Sequence, residues 1–209
     1  MTRDERIQAF SNRAAAVSAS VMPVSGLTQA FEDLVATCLD KQACQLLASG
    51  CEHPLSEKAA DLCELKEWSR IIAAPGLADT ELDMLVTLCR PKGIQLIDKG
   101  LHSHLSGIDI GLTWAQYGIA ENGTVVMDSS REEVRLASMI SEIHAVLLPA
   151  SSIHETAEDL LEPLTRMFQE GPNYTAFITG ASRTADIERV LALGVHGPLE
   201  LQIYILKDL

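Results

Sequence analysis

Apolar residues recur along this chain in two alternating rhythms. From Arg3 to Ser20, Ile7, Phe10, Ala14 and Val17 fall three and four apart, the spacing of one helical face. Val21 to Val24 is a short apolar run broken by Pro23, which predicts an edge strand at best, because proline donates no ladder hydrogen bond. A helix follows from near Leu27, with Phe31, Leu34, Val35 and Leu39 on one face and Ser25 as its cap. Ala43 to Ala48 reads as a strand, Leu55 to Trp68 as a helix capped by Ser56, and Arg70 to Ala74 as a strand closed by Pro75-Gly76. Asp79-Thr80 open a helix through Leu82, Leu85, Val86 and Cys89 that Pro91 stops, and Ile94 to Ile97 is again a strand. Strands separated by helices in this way predict βαβ units and a parallel sheet.

The rhythm changes after Ile108. As far as Met127 the chain has no helical period and is rich in Gly, Thr and β-branched residues, which predicts a strand, an excursion and a hairpin. The hairpin centres on Asn122-Gly123, since both residues tolerate the positive φ of a type I′ turn. Glu121 is the last residue before that turn. Its carboxylate has no packing reason to be there, so it either faces water at the hairpin tip or is held over a cleft. Further on come a helix from Glu132 to Met139, a strand from Ala145 to Leu148, and a long helix from Glu155 to Gln169 after Ser152 or His154. Tyr174 to Thr179 reads as a strand, Thr184 to Leu193 as a helix with Gly194 past its end, and Leu199 to Leu206 as a last strand. The expected architecture is a three-layer α/β domain over 25–209, with a mainly parallel sheet carrying an antiparallel hairpin. It is preceded by a helical arm over 1–24, packed on the body or on a second subunit of a homodimer.

A chain of 209 residues, 47% hydrophobic and 22% charged, is ordinary for one globular domain. The net charge of −13 repels a phosphate backbone and argues against nucleic-acid partners. No apolar run approaches the roughly 18 residues of a membrane span, and the charged start Met-Thr-Arg-Asp-Glu-Arg is not a signal peptide. Cys38, Cys44, Cys51, Cys63 and Cys89 form no C-x-x-C pair. They are expected as free buried thiols in a reducing cytoplasm.

Three places carry candidate chemistry. Gly180-Ala181-Ser182-Arg183-Thr184-Ala185-Asp186 follows an expected strand and opens an expected helix. There the N–H groups of a helix start, the Ser182 and Thr184 hydroxyls and the Arg183 fork would hold an anion such as a small carboxylate. The alternative is an ordinary cap, with Asp186 complementing the dipole and Arg183 paired to a neighbouring acid. His196, between Gly194 and Gly197-Pro198, is suited to proton transfer on a hydroxyl, or is a turn histidine bonded to a carbonyl. His102 and His104 would share one face of a strand and could chelate a metal, but no third ligand is near except Asp98 or Asp109, and they read better as a solvated loop. Trp68 and Trp114 read as core or interface anchors. No Gly-x-Gly-x-x-Gly segment marks a flavin or nicotinamide site.

From Asp109 to Leu206 the chain resembles the lactate-utilisation (LUD-domain) family. The resemblance rests on Ile119-Ala120-Glu121-Asn122-Gly123-Thr124, on Gly180-Ala181-Ser182-Arg183-Thr184-Ala185-Asp186-Ile187-Glu188 and on Gly194-Val195-His196-Gly197-Pro198. Asn122 stands for the family's usual Thr and Ala181 for its usual Pro. The resemblance implies the fold shared by CoA-transferases and sugar-phosphate isomerases. It also implies work beside iron–sulfur proteins that oxidise lactate to pyruvate, with the clusters in partner subunits and no cofactor on this chain. Glu121-Asn122-Gly123 is further similar to the glutamate segment of class I CoA-transferases. That similarity implies Glu121 as nucleophile or base, oriented by Asn122 and Thr124, in a stand-alone acyl-transfer enzyme; a third possibility is a scaffold without chemistry. The expected site gathers Glu121 and His196 as catalytic groups, with Asn122, Thr124, Ser182, Arg183, Thr184, Asp186 and Gly197 around the substrate.

Overall fold

In the computed structural model of the protein, which describes residues 1–41, 70–104, 107–169, 174–185, 191–193 and 197–207, six strands run parallel in one sheet. They are β1 (Ala19–Val24), β2 (Arg70–Ala73), β3 (Ile94–Ile97), β4 (Ile108–Trp114), β7 (Ser141–Pro149) and β12 (Glu200–Leu206), in the order β1-β12-β7-β4-β2-β3. Central strands of a parallel sheet are covered on both faces, and β4 and β12 are accordingly buried along nearly their whole length. β1 lies at an edge, where Pro23 costs no ladder bond.

One face carries Ile110, Leu112, Leu147 and Tyr204. It packs on Phe31 and Leu34 of α2 (Leu27–Asp40) and Leu85 of α3 (Asp79–Cys89). Trp114 borders this cluster, and its indole N–H donates to Glu81 over 3.4 Å. Cys38 and Cys89 lie within it as unpaired thiols, and burial pushes them up to about 12 and about 11. Cys44, Cys51, Cys63 and Trp68 lie outside the described residues, as do the expected strand Ala43–Ala48 and helix Leu55–Trp68.

The other face is covered by two helices and a second sheet. α1 (Arg3–Ala16) buries Phe10 and Ala14 there, together with Val125, Val146 and Ile203. Its start is a capping box, with Thr2 Oγ1 accepting from Glu5 N and Glu5 accepting from Thr2 N. α4 (Glu132–Ile140) sets Ala137 against Ile71 and Ile108. It comes so close to β4 that a Cβ on Gly111 would stand 2.0 Å from the Ala137 carbonyl oxygen. The second sheet has the order β8-β5-β6-β9, built from β5 (Tyr117–Ile119), β6 (Thr124–Asp128), β8 (Ile153–His154) and β9 (Thr175–Ile178). The helices α2 and α3, the parallel sheet, and the layer of α1, α4 and the second sheet make the three layers expected. At the amino ends of the sheet, buried Asp109 accepts from Ile71 N at 2.7 Å and from Lys41 Nζ at 2.9 Å. Lys41 also bonds Glu142 at 2.9 Å. Burial lowers the Lys41 ammonium, but the bonds to Asp109 and Glu142 outweigh that and leave it above its ordinary value.

Four local expectations fail, each for a physical reason. The cap of α2 is Gly26, not Ser25, because the Ser25 N–H and hydroxyl are both taken by Gln29 Oε1 at 2.9 Å. The turn after β5 spans 120–123 and is closed by Gly123 N to Ile119 O at 2.9 Å. Gly123 alone has a positive φ there, 73°, so the turn is not type I′. The long helix from Glu155 is reduced to α5 (Leu161–Gln169). The carbonyls of His154 and Glu155 are spent on Ala120 N and Glu121 N, which holds those residues extended beside the hairpin. Finally, both described ends of the expected helix from Thr184 to Leu193 are strand; 186–190 lie outside the described residues. β10 (Arg183–Ala185) pairs antiparallel with β11 (Leu191–Leu193). Ser182 N bonds Pro198 O at 3.2 Å, so the chain must return to where it left. The ladder bonds between 183–185 and 191–193 take backbone groups that a helix would need for its own turns.

Candidate functional site

The Glu121 segment is a packing device before anything else. A Cβ on Gly123 would stand 2.3 Å from Ala14 N, and one on Gly180 (φ 77°) 2.2 Å from the Val17 carbonyl oxygen. Both glycines therefore admit the carboxyl end of α1 against the second sheet. Thr124 is buried, with its Oγ1 2.6 Å from Thr179 Oγ1, which ties the hairpin to the strand leading into 180–182. Asn122 Oδ1 accepts from Thr124 N at 3.1 Å and shapes the turn. Glu121 is exposed at the hairpin tip, with its N–H on Glu155 O at 3.0 Å.

The Ser182 bond to Pro198 brings the second and third of the similar segments together, and beside them opens a cavity of about 390 Å³. Ser182 and Gly197 line it as neighbours; a Cβ on Gly197 would meet Ser182 Cβ at 3.2 Å. The cavity lies between β9 and the amino-terminal halves of β7 and β12, under α4, not at the carboxyl edge of the parallel sheet. The carboxyl-edge rule does not reach it, because the strand leading into Gly180 belongs to the second sheet. The chain at 183–185 is strand, so the expected helix does not start there, and an anion held here needs other donors.

Arg135, on α4, is such a donor. Its Nη1 donates to the carbonyls of Ser129 (2.6 Å) and Ser130 (2.8 Å), and its Cζ lies 5.0 Å from the Tyr174 ring centroid. Tyr174 is held in turn, its carbonyl accepting from Ser129 N and Oγ. The guanidinium is thus fixed on one side, and its Nη2 and Nε have no partner among the described residues. His144, on β7, lines the same cavity and is fully buried, with Nε2 2.8 Å from Thr113 Oγ1. Burial pushes its imidazole down to about 4, so it is neutral near pH 7 and offers hydrogen bonding without charge. Sequence reasoning passed over both residues. Arg135 sits in an unremarkable helical turn, whereas an imidazole inside the apolar run of β7 was a signal.

Ser182 and Gly197 therefore share one cavity, and Thr124 supports the strand that leads to it; Glu121 and Asn122 are not among its lining residues. His196 and Asp186 lie outside the described residues. Arg183 and Thr184 are described only as backbone of β10, so the expected approach of Glu121 to Arg183 or His196 falls outside them too. His102 is exposed in a 3-10 turn, Leu101–Ser103, not in a strand. No metal-binding cluster of His, Cys, Asp or Glu exists among the described residues. Among them, too, no helix is long and apolar enough to cross a membrane.

The LUD domain family profile matches residues 7–206. The chain belongs to the LUD domain family. An uncharacterized protein of Neisseria meningitidis is 33% identical over 132 residues, 63% of this chain and 54% of that protein. Lactate utilization protein C of Bacillus subtilis is 32% identical over 103 residues, 48% of this chain and 43% of that protein. The similarity to these curated relatives thus spans about half their length. A crystal structure of a DUF162 family protein from Deinococcus radiodurans has the same fold, with a TM-score of 0.64 and 19% identity over 99% of both chains. The family match runs from residue 7, so it takes in most of α1 as well as nearly all of the expected domain over 25–209.

Proposed function

We propose that this LUD domain serves lactate utilisation by binding a small carboxylate in the cavity beneath α4. The observation that carries the reading is the meeting of Ser182 and Gly197, from two family segments far apart in sequence, in one cavity with a prepositioned arginine. A protein of net charge −13 repels an anion on average, so binding needs a local cation with directed donors. The open Nε–Nη2 edge of Arg135 has the fork geometry that a carboxylate accepts from two sides. Neutral His144 supplies a hydrogen-bonding ring without adding charge, and the Ser182 hydroxyl is a further donor. Relatives named lactate utilization protein C support the metabolic setting. Electrons from lactate oxidation would leave through iron–sulfur partner subunits, since this sequence has no C-x-x-C pair and no Gly-x-Gly-x-x-Gly segment. Among the described residues, nothing around exposed Glu121 favours the acyl-transfer alternative.

The test is calorimetric titration with lactate and pyruvate of wild type, Arg135→Ala and Arg135→Lys, beside a thermal melt of each. A charge-assisted hydrogen bond contributes roughly 1.5–3 kcal/mol, so Arg135→Ala should weaken binding about ten- to a hundredfold. Arg135→Lys should restore only part of it. Equal affinities in folded variants would remove the carboxylate from Arg135. The partner claim is checked by co-purification with cluster-binding oxidoreductase subunits from the native host.

A further inference from the structure

The cavity has more room than lactate alone fills. Lactate has six non-hydrogen atoms, and at the roughly 30 Å³ each that a water molecule takes in the liquid they fill at most about 180 Å³. The cavity holds about 390 Å³. Its two ends differ in chemistry. The chain from Tyr174, whose ring stacks on Arg135, through β9 to Ala181 lines it. Ile178 and Ala181 pack with Leu201 in the apolar cluster beneath α1. Four residues of extended chain from Tyr174 to Ile178 span roughly 13 Å. A three-carbon acid whose carboxylate sits on Arg135 leaves the Ile178–Leu201 end to water against apolar walls, which is unfavourable.

Resting on the carboxylate reading above, we infer that the preferred ligands are 2-hydroxy or 2-oxo acids with a longer apolar side chain than lactate. The carboxylate sits on the Nε–Nη2 edge of Arg135, and the side chain runs along Ala176 to the Ile178, Ala181 and Leu201 end. Ala176 shares the cavity face of β9 with Ile178, two residues apart on the strand. Its side chain is a single methyl, so a larger residue there would narrow the path between the two ends. Affinity then rises with chain length, because each buried methylene strengthens binding about fourfold.

The experiment is calorimetric titration of the folded protein with lactate, 2-hydroxybutyrate, 2-hydroxyisocaproate and 3-phenyllactate. The proteins are wild type, Arg135→Ala, Ala176→Val and Ala176→Phe, each checked by a thermal melt. The expected result is at least tenfold tighter binding of 2-hydroxyisocaproate than of lactate, with both weakened by Arg135→Ala. Ala176→Val should reduce that advantage and Ala176→Phe abolish it, while the affinity for lactate stays within about twofold. Should Ala176→Phe fail to fold, the milder Ala176→Val carries the same prediction. Lactate binding as tightly as the longer acids, in an Arg135-dependent manner, would overturn the length preference and leave the carboxylate site standing. No binding of any acid, or binding indifferent to Arg135→Ala, would overturn the carboxylate site and this inference with it. An advantage of the longer acids that survives both Ala176 variants would overturn the path along β9.

Discussion

Acid should loosen this fold through one buried ring. His144 is fully buried in β7, its imidazole bonded to Thr113 and pushed from 6.5 down to about 4 by burial. Above pH 6.5 the ring is neutral whether the chain is folded or not, and it adds no pH dependence. Between pH 6.5 and 4 the unfolded chain takes up a proton that the folded chain refuses, so stability falls as the pH falls. Below pH 4 both states are protonated and the loss levels off. A gap of about 2.5 pH units, at about 1.4 kcal/mol per unit, makes the full loss about 3–4 kcal/mol. That is a large share of the 5–15 kcal/mol typical of a domain. The assay is urea unfolding at pH 7, 6 and 5 of wild type and His144→Gln, whose amide can keep the bond to Thr113 without titrating. His154, also lowered by burial, and the carboxylates are common to both proteins and cancel in the difference. From pH 7 to 5 the wild type should lose about 2 kcal/mol more than the variant. Parallel pH profiles would refute the reasoning, because they would mean that the cavity solvates the imidazolium as well as water does.

Gly180→Ala should destabilise the protein by at least about 3 kcal/mol in urea unfolding, since a left-handed φ costs alanine about 1–2 kcal/mol and its Cβ would collide with the Val17 carbonyl. A loss under about 1 kcal/mol would show that α1 is not seated as described. Asp109→Ala strips Lys41 and Ile71 N of a buried acceptor and should cost about 3–5 kcal/mol, read by the same method. A near-neutral result would mean that water reaches Lys41 freely.

The order of elements was legible in the chain because it is written in local periods. The three- and four-residue spacing of Ile7, Phe10 and Ala14 in α1, the apolar runs of β4, β7 and β12, and Pro91 after α3 each announce themselves within a few residues. The three short segments that pointed to the LUD domain were likewise readable without coordinates, and the family match over 7–206 agrees with them. What local pattern could not decide was anything set by a distant partner. Thr184 to Leu193 has a helical look, yet its described ends, 184–185 and 191–193, pair as strands β10 and β11. His154 and Glu155 look like a helix start, yet the hairpin claims their carbonyls. The site follows the same logic. Ser182 and Gly197 were found as members of motifs, but Arg135 became a candidate only when Tyr174 and the carbonyls of Ser129 and Ser130 fixed it over the cavity. His144 was signalled by its place in an apolar run, but its neutral state follows from its burial in β7. Periodicity reports which face of an element turns inward; which charge meets which cavity depends on how the two sheets and α4 pack, and that is decided only in three dimensions.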